Sequence, residues 1–94
     1  MQPIVYGSSP VNLEVFPNPT TSAFEIRARN ATEDYRIEII DVSGRLVHHM
    51  PFVEAASLRQ GYQMQPALNN GMYILRLIGK RGDILYHRLI IQSH

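Results

Sequence analysis

LNNGMYILRL, residues 68–77, is the most informative stretch for predicting the fold, because a turn here leads directly into the longest run of strand-forming residues. Tyr73, Leu75 and Leu77 share one face of a period-two pattern, and the opposite face is also apolar apart from Arg76. The Asn-Gly pair ahead of the strand accepts positive φ at little cost, so it can turn the chain sharply. A strand that is apolar on both faces belongs inside a sheet, so the pattern predicts a central strand.

Shorter alternating segments surround this strand and predict an all-β domain. Residues 24–28 and 35–39 carry charges at alternate positions, so we expect them to pair as an antiparallel hairpin with their charged faces in water. Residues 52–60 fit one or two helical turns or a poor strand, and we prefer the strand. The other predicted strands are residues 11–15, 45–50, 60–65 and 84–92, with Pro51 ending the second of these.

Seven or eight short strands with turn signals every ~8 to 12 residues are typical of an immunoglobulin-like antiparallel β-sandwich. The 94 residues, 45% of them hydrophobic, leave room for one core. We therefore assign residues 11–92 to the sandwich, residues 1–10 to a flexible linker rich in Pro, Gly and Ser, and residues 93–94 to a tail.

The composition excludes several functions. Nine Lys and Arg against eight Asp and Glu give a net charge of +1 with the signs interspersed, so there is no electrostatic footprint for nucleic acid. The absence of cysteine excludes disulfides, thiolate metal sites and a cysteine nucleophile. No window approaches the ~20 apolar residues of a membrane span.

No motif for catalysis, cofactor or metal binding is present. His48 and His49 are neighbours on a predicted strand and point to opposite faces, so they cannot chelate one ion together. There is no Gly-rich phosphate loop, calcium-loop spacing or nucleophile elbow. A small hydrolase would need a clustered acid, base and nucleophile, which the spacing does not supply.

Two short motifs stand out besides the central strand. Pro17-Asn18-Pro19 makes a stiff corner, because each proline fixes its own φ and restricts the residue before it. The segment from Asp41 to Gly44 has the residues that a type I turn with a glycine bulge prefers.

Taken in order, these motifs and the closing apolar segment resemble the type IX secretion system C-terminal sorting domain over about residues 11–92. The resemblance implies an immunoglobulin-like sandwich whose sorting-motif residues have plain structural roles as well. These residues are Pro17, Asn18, Pro19, Asp41, Gly44, Arg45, Asn70, Gly71, Tyr73, Leu89, Ile90, Ile91 and Gln92.

The resemblance further implies a non-catalytic export signal, without cofactor, at the C-terminus of a larger cargo protein. Such cargo passes through the periplasm and an outer-membrane translocon to the cell surface or the extracellular space. A sortase-like peptidase commonly removes the domain ahead of its first strand, which here indicates Gly7, Ser8 and Ser9. The closing segment has fewer lysines than is usual in the family.

We expect recognition to lie on the last strand, where a partner could pair with the edge of residues 89–92 by strand addition. An unpaired sheet edge would also allow two copies of the domain to form a weak dimer. The alternative function is an accessory adhesive or carbohydrate-binding sandwich retained on a secreted protein, which a planar row of exposed aromatic residues would favour.

Overall fold

The computed structural model describes residues 11–92, which form seven strands and a short helix. In chain order the elements are β1 (Leu13–Phe16), β2 (Phe24–Ala28), β3 (Tyr35–Asp41), β4 (Leu46–Val53), α1 (Ala55–Gln60), β5 (Tyr62–Met64), β6 (Gly71–Gly79) and β7 (Ile84–Ile91). The strands form a three-stranded sheet of order β1-β2-β5 and a four-stranded sheet of order β4-β3-β6-β7. All pairs of named strands are antiparallel, which confirms the predicted all-β architecture.

The core lies between the two sheets. Phe24, Ile26 and Ala28 alternate inward from β2, and Ile37 and Ile39 alternate inward from β3 across the interface. Burying a large aliphatic or aromatic side chain contributes about 1.5–3 kcal/mol, so this layer supplies most of the driving force for folding. The period-two pattern therefore identified the inward faces correctly.

The strand β6 is central, as its sequence predicts, since it pairs with β3 on one side and β7 on the other. Tyr73, Leu75 and Leu77 are buried. The opposite, equally apolar face of β6 is not buried, because Met72 is 47% exposed and Ile74 37% exposed. No third layer covers this face within the described part of the chain.

The predicted hairpin between β2 and β3 does not form. The two strands belong to different sheets and face each other across the core. The connection between them crosses from one sheet to the other, where Ala31 is buried and its carbonyl oxygen accepts a hydrogen bond from Arg59 Nη1 at 2.8 Å. Both inward faces need a covering layer, and a hairpin would have left them side by side.

The segment from 52 to 60 is also different from the preferred strand. Residues 52–53 complete β4, which continues through Pro51, and residues 55–60 form α1. Pro51 is tolerated because β4 is an edge strand. On the open side of an edge strand, no neighbouring strand needs the N–H that proline lacks. The helix is held by tertiary contacts, namely the buried Leu58 and a 3.0 Å hydrogen bond from the Ala55 N–H to Asp34 Oδ1. None of the described helical structure is long and apolar enough to cross a membrane.

Candidate functional site

Motifs that are far apart in the sequence meet at one end of the four-stranded sheet. Asp41 pairs with Tyr73 across β3 and β6, and Tyr73 pairs with Leu89 across β6 and β7, so the three residues form one row. Next to this row, the side chain of Asn18 contacts the outer edge of β7. We call this region the motif end.

The corner after β1 is fastened to the last strand by a single side chain. Asn18 Nδ2 donates to the Arg88 carbonyl oxygen at 2.8 Å, and Asn18 Oδ1 accepts from the Ile90 N–H at 3.0 Å. An amide side chain has both a donor and an acceptor, so here it replaces the peptide group of a neighbouring strand. The peptide bonds before Pro17 and Pro19 are both cis.

The chain continues along the same edge. Thr20 forms a parallel bridge with Ile91, in which the Thr20 N–H donates to the Ile90 carbonyl at 2.9 Å and the Gln92 N–H donates to the Thr20 carbonyl at 2.7 Å. Every outward backbone group from the Ile90 N–H to the Gln92 N–H is therefore already paired. The expectation that residues 89–92 offer an open edge for strand addition is wrong, because the corner occupies that edge.

The turn between β3 and β4 lies at the predicted residues and has a positive-φ glycine at its fourth position. Gly44 has φ +89°, and its N–H donates to the Asp41 carbonyl at 3.0 Å. Asp41 Oδ1 accepts from the Ser43 hydroxyl at 2.7 Å and from the Arg45 N–H at 2.9 Å. These hydrogen bonds hold the pKa of Asp41 below its ordinary value of 3.8, and the one from the Ser43 hydroxyl has the largest effect.

The start of β6 is closed by Tyr73. Its ring is buried beside Gly71, and its hydroxyl donates to the Asn69 carbonyl oxygen at 2.6 Å. The hydrogen bond satisfies a polar group that burial would otherwise penalise. Tyr73 therefore fills the core and fixes the turn that begins at Asn69.

The sorting-motif residues differ in how far they are part of the folded structure. Asn18, Tyr73, Leu89 and Ile91 are held in hydrogen bonds or in the core. Arg45 lies on the exposed turn, where its side chain Nε is 3.3 Å from Asp41 Oδ2. Gly7, Ser8 and Ser9, the predicted cleavage region, lie outside the described residues.

Residues 11–92 include His, Asp and Glu side chains, which are possible metal ligands. No group of three or more His, Asp or Glu side chains among them could hold a metal ion. His48 pairs with Ile39 and His49 with Glu38, so the two rings leave β4 on opposite faces, as predicted.

The uncovered face of the four-stranded sheet carries a feature that the sequence patterns did not reveal. Exposed or half-buried apolar side chains lie beside the motif end, and Arg88 is paired with one of them, Ile74, across β6 and β7. We call this set the outer patch, and it comprises Ile40, Leu46, Met72, Ile74, Arg88 and Ile90.

Arginines outnumber carboxylates on the same face. Glu38, only 8% exposed, accepts a hydrogen bond from Arg76 Nε at 2.9 Å and lies 3.2 Å from Arg36 Nε. The hydrogen bonds that Arg76 donates to Glu38 raise the pKa of Arg76 above its ordinary value. Within the described residues the guanidinium of Arg88 has no carboxylate partner. The signal in the sequence was Arg76, the single charge in an otherwise apolar strand.

Comparison with known proteins identifies the architecture and the family. A family model described as a secretion system C-terminal sorting domain matches residues 14–92. A search of curated protein sequences gives no match.

Solved structures show the same fold at low sequence identity. A DUF3244 family protein with an immunoglobulin-like β-sandwich fold from Bacteroides vulgatus ATCC 8482 is similar with a TM-score of 0.65 and 15% identity, over 87% of this chain and 96% of the other. CopC from Methylosinus trichosporium OB3b is similar with a TM-score of 0.51 and 17% identity, over 88% and 96%. These similarities confirm the predicted immunoglobulin-like sandwich.

Proposed function

This chain belongs to the type IX secretion system C-terminal sorting domain family, and we propose that residues 11–92 direct a covalently attached N-terminal cargo through the outer-membrane translocon of that system. The family makes the domain a sorting signal that sends its cargo to the cell surface or the extracellular space. The finer steps belong to the proposal: transit through the periplasm, recognition of the folded domain by translocon components, and removal by a sortase-like peptidase.

The observation that carries this proposal is the convergence of the family motifs at the motif end. The row of Asp41, Tyr73 and Leu89 spans three strands, and Asn18 adds the corner to the same place. These residues are far apart in the sequence, so only the folded domain presents them together. A signal of this kind is recognised through its folded shape, so unfolding should abolish recognition.

The test is a reporter protein fused ahead of residues 1–94 and expressed in a bacterium with type IX secretion. We expect the reporter on the cell surface or in the medium, and retention in a strain without the translocon. A Leu75→Asp variant places a charge at a fully buried position and should abolish both folding and export. Export of this unfolded variant at the normal level would contradict recognition of the folded shape.

Deletion of residues 89–94 would not distinguish loss of recognition from loss of folding. It removes Leu89 and Ile91, which are 0% and 3% exposed, and each large buried side chain stabilises the fold by about 1.5–3 kcal/mol. Loss of export would then follow from unfolding as readily as from loss of recognition. Point substitutions on the surface are the sharper probes.

Peptidase removal has its own readout. Mass spectrometry of the exported reporter should show a new C-terminus within or next to residues 7–9, ahead of β1. An exported reporter that still carries β1 and the rest of the sandwich would show that the domain is retained.

The arrangement of exposed aromatic side chains gives the carbohydrate-binding alternative no support. Phe52 and Tyr86 lie on β4 and β7, the opposite edges of one sheet, and are therefore separated by three strand spacings, about 14 Å. Phe16 belongs to the other sheet, beneath the guanidinium of Arg27. The described residues therefore form no planar aromatic row.

A further inference from the structure

From the outer patch we infer that this face docks a protein surface that is apolar and carries carboxylates. The inference rests on the proposed function, because we assign the docking partner to the export machinery that receives the domain. The recognised surface is the outer patch, and the chemistry of recognition is apolar contact combined with pairing of arginine and carboxylate.

The first step is the distribution of exposed apolar side chains. Leu46, Met72 and Ile74 are between 37% and 48% exposed on the outer face of the four-stranded sheet. The outer face of the three-stranded sheet instead carries paired charges, such as Arg27 with Glu25 at 2.7 Å. Contiguous exposed apolar residues on one face, next to polar ones, are typical of a protein interaction site.

The second step is the charge of the same face. Arg36 and Arg76 both pair with Glu38. Arg88 has no carboxylate partner among the described residues, so three arginines stand against one carboxylate on this face and two positive charges are left uncompensated. Arg88 pairs with the exposed Ile74 across β6 and β7, so its cation lies beside the apolar residues. A partner that buries this face must supply carboxylates, because a buried guanidinium without a counter-ion is costly.

A second copy of this chain fits poorly. Packing two such faces together would bring the arginines of one copy toward those of the other, and like charges across an interface cost several kcal/mol. Complementary charge therefore favours a different, acidic partner.

A lipid surface fits poorly as well. Membrane-binding faces keep an apolar centre and place basic residues at the rim, where their side chains can reach the headgroups. Here the Arg36, Glu38 and Arg76 cluster lies mid-face, with Ile74 on one side along β6 and Ile78 on the other. Insertion would bury the ion cluster in hydrocarbon, which is strongly unfavourable.

The experiment uses the reporter fusion with substitutions that leave the fold intact. Arg88→Glu reverses the unpaired charge, and because the hydrogen bond to Asn18 uses only the backbone carbonyl of Arg88, it should survive. Ile74→Thr removes an exposed apolar side chain and keeps a β-branched residue in the strand. Arg29→Glu, in the turn that follows β2 of the other sheet, is the charge-reversal control, and thermal unfolding of each purified domain confirms folding.

We expect Arg88→Glu to lower export about tenfold or more, as loss of one desolvated charge contact does. Ile74→Thr should lower it by a smaller factor, and Arg29→Glu should leave it unchanged. Selection for restored export of Arg88→Glu should yield substitutions of Asp or Glu in a component of the secretion machinery. That result would identify the partner by its charge.

The two levels of the proposal fail differently. If the wild-type fusion is not exported, the proposed function fails and this inference fails with it. If the wild type is exported and both outer-patch variants follow it, the inference alone is wrong. Binding of the wild-type domain, and not of Arg88→Glu, to phosphatidylglycerol vesicles would replace the protein partner by a membrane, and an Arg88-dependent dimer in sedimentation would replace it by a second copy.

Discussion

Replacement of Asn18 by alanine should destabilise the domain by removing the side-chain hydrogen bonds between the corner and the last strand, whereas the backbone hydrogen bonds of Thr20 remain. The substitution removes the 2.8 Å bond to the Arg88 carbonyl and the 3.0 Å bond from the Ile90 N–H. Each hydrogen bond contributes about 0.5–1.5 kcal/mol net, so the loss is about 1–3 kcal/mol. For a domain of this size, about 2 kcal/mol lowers the unfolding midpoint by about 8–16 °C.

Thermal unfolding and amide exchange measured by NMR test this prediction together. The Ile90 N–H should lose protection in Asn18→Ala, whereas the Asn69→Ala control should change little, because the hydrogen bond made by Asn69 uses its carbonyl oxygen. Asn18→Asp keeps the acceptor for Ile90 and loses the donor to Arg88, so its midpoint should lie between those of the wild type and Asn18→Ala. Equal midpoints for Asn18→Ala and Asn69→Ala, with Ile90 still protected, would refute the fastening of the corner.

Three further predictions concern the turns. Gly79→Ala would place a Cβ 2.5 Å from the Glu33 carboxyl carbon, and the carboxylate can move aside only by giving up the 2.6 Å hydrogen bond that it accepts from the Arg81 N–H. Urea unfolding should therefore show a loss of about 0.5–1.5 kcal/mol that largely disappears in a Glu33→Ser background. Equal losses in both backgrounds would contradict the clash. Gly44→Ala should cost about 1 kcal/mol, because φ is +89° while the added Cβ meets nothing within 4 Å, and Gly44→Asn should cost less. A cost equal for both would show that φ is not the cause. Because the folded-state pKa of Asp41 is lowered, its stabilisation is present above the ordinary pKa of 3.8 and is lost as the pH falls through the lowered value. The unfolding midpoints of Asp41→Asn and the wild type should therefore converge in acid, and parallel pH profiles would count against this account.

The sequence located most strands but not their partners. Alternation in residues 24–28 and 35–39 identified β2 and β3 and their inward faces, because side-chain direction along a strand is a local property. Sheet membership is not local. It depends on which arrangement covers both apolar faces at once, and that decision involves β5 and β6, which come much later in the chain.

The same limit applies to the site. Proline and glycine identified the corner and the turn at Gly44, since backbone restriction acts within a few residues. Nothing in the neighbourhood of Asn18 indicates that its side chain meets Ile90, 72 positions later. The helix α1 was missed for a related reason, because six residues carry little periodicity and their conformation is fixed by contacts with Asp34 and Ala31.

Local sequence patterns were enough to predict an all-β domain, a central β6, two turns and the absence of cysteine chemistry, because strand period and turn propensity are encoded residue by residue. Three features became visible only in the folded domain: β2 and β3 belong to different sheets, Asn18 closes the edge of β7, and Met72 and Ile74 face outward. These features depend on contacts between distant segments, where the free energy of burying apolar surface and pairing backbone groups is minimised over the whole chain. The motif end is a product of that global choice.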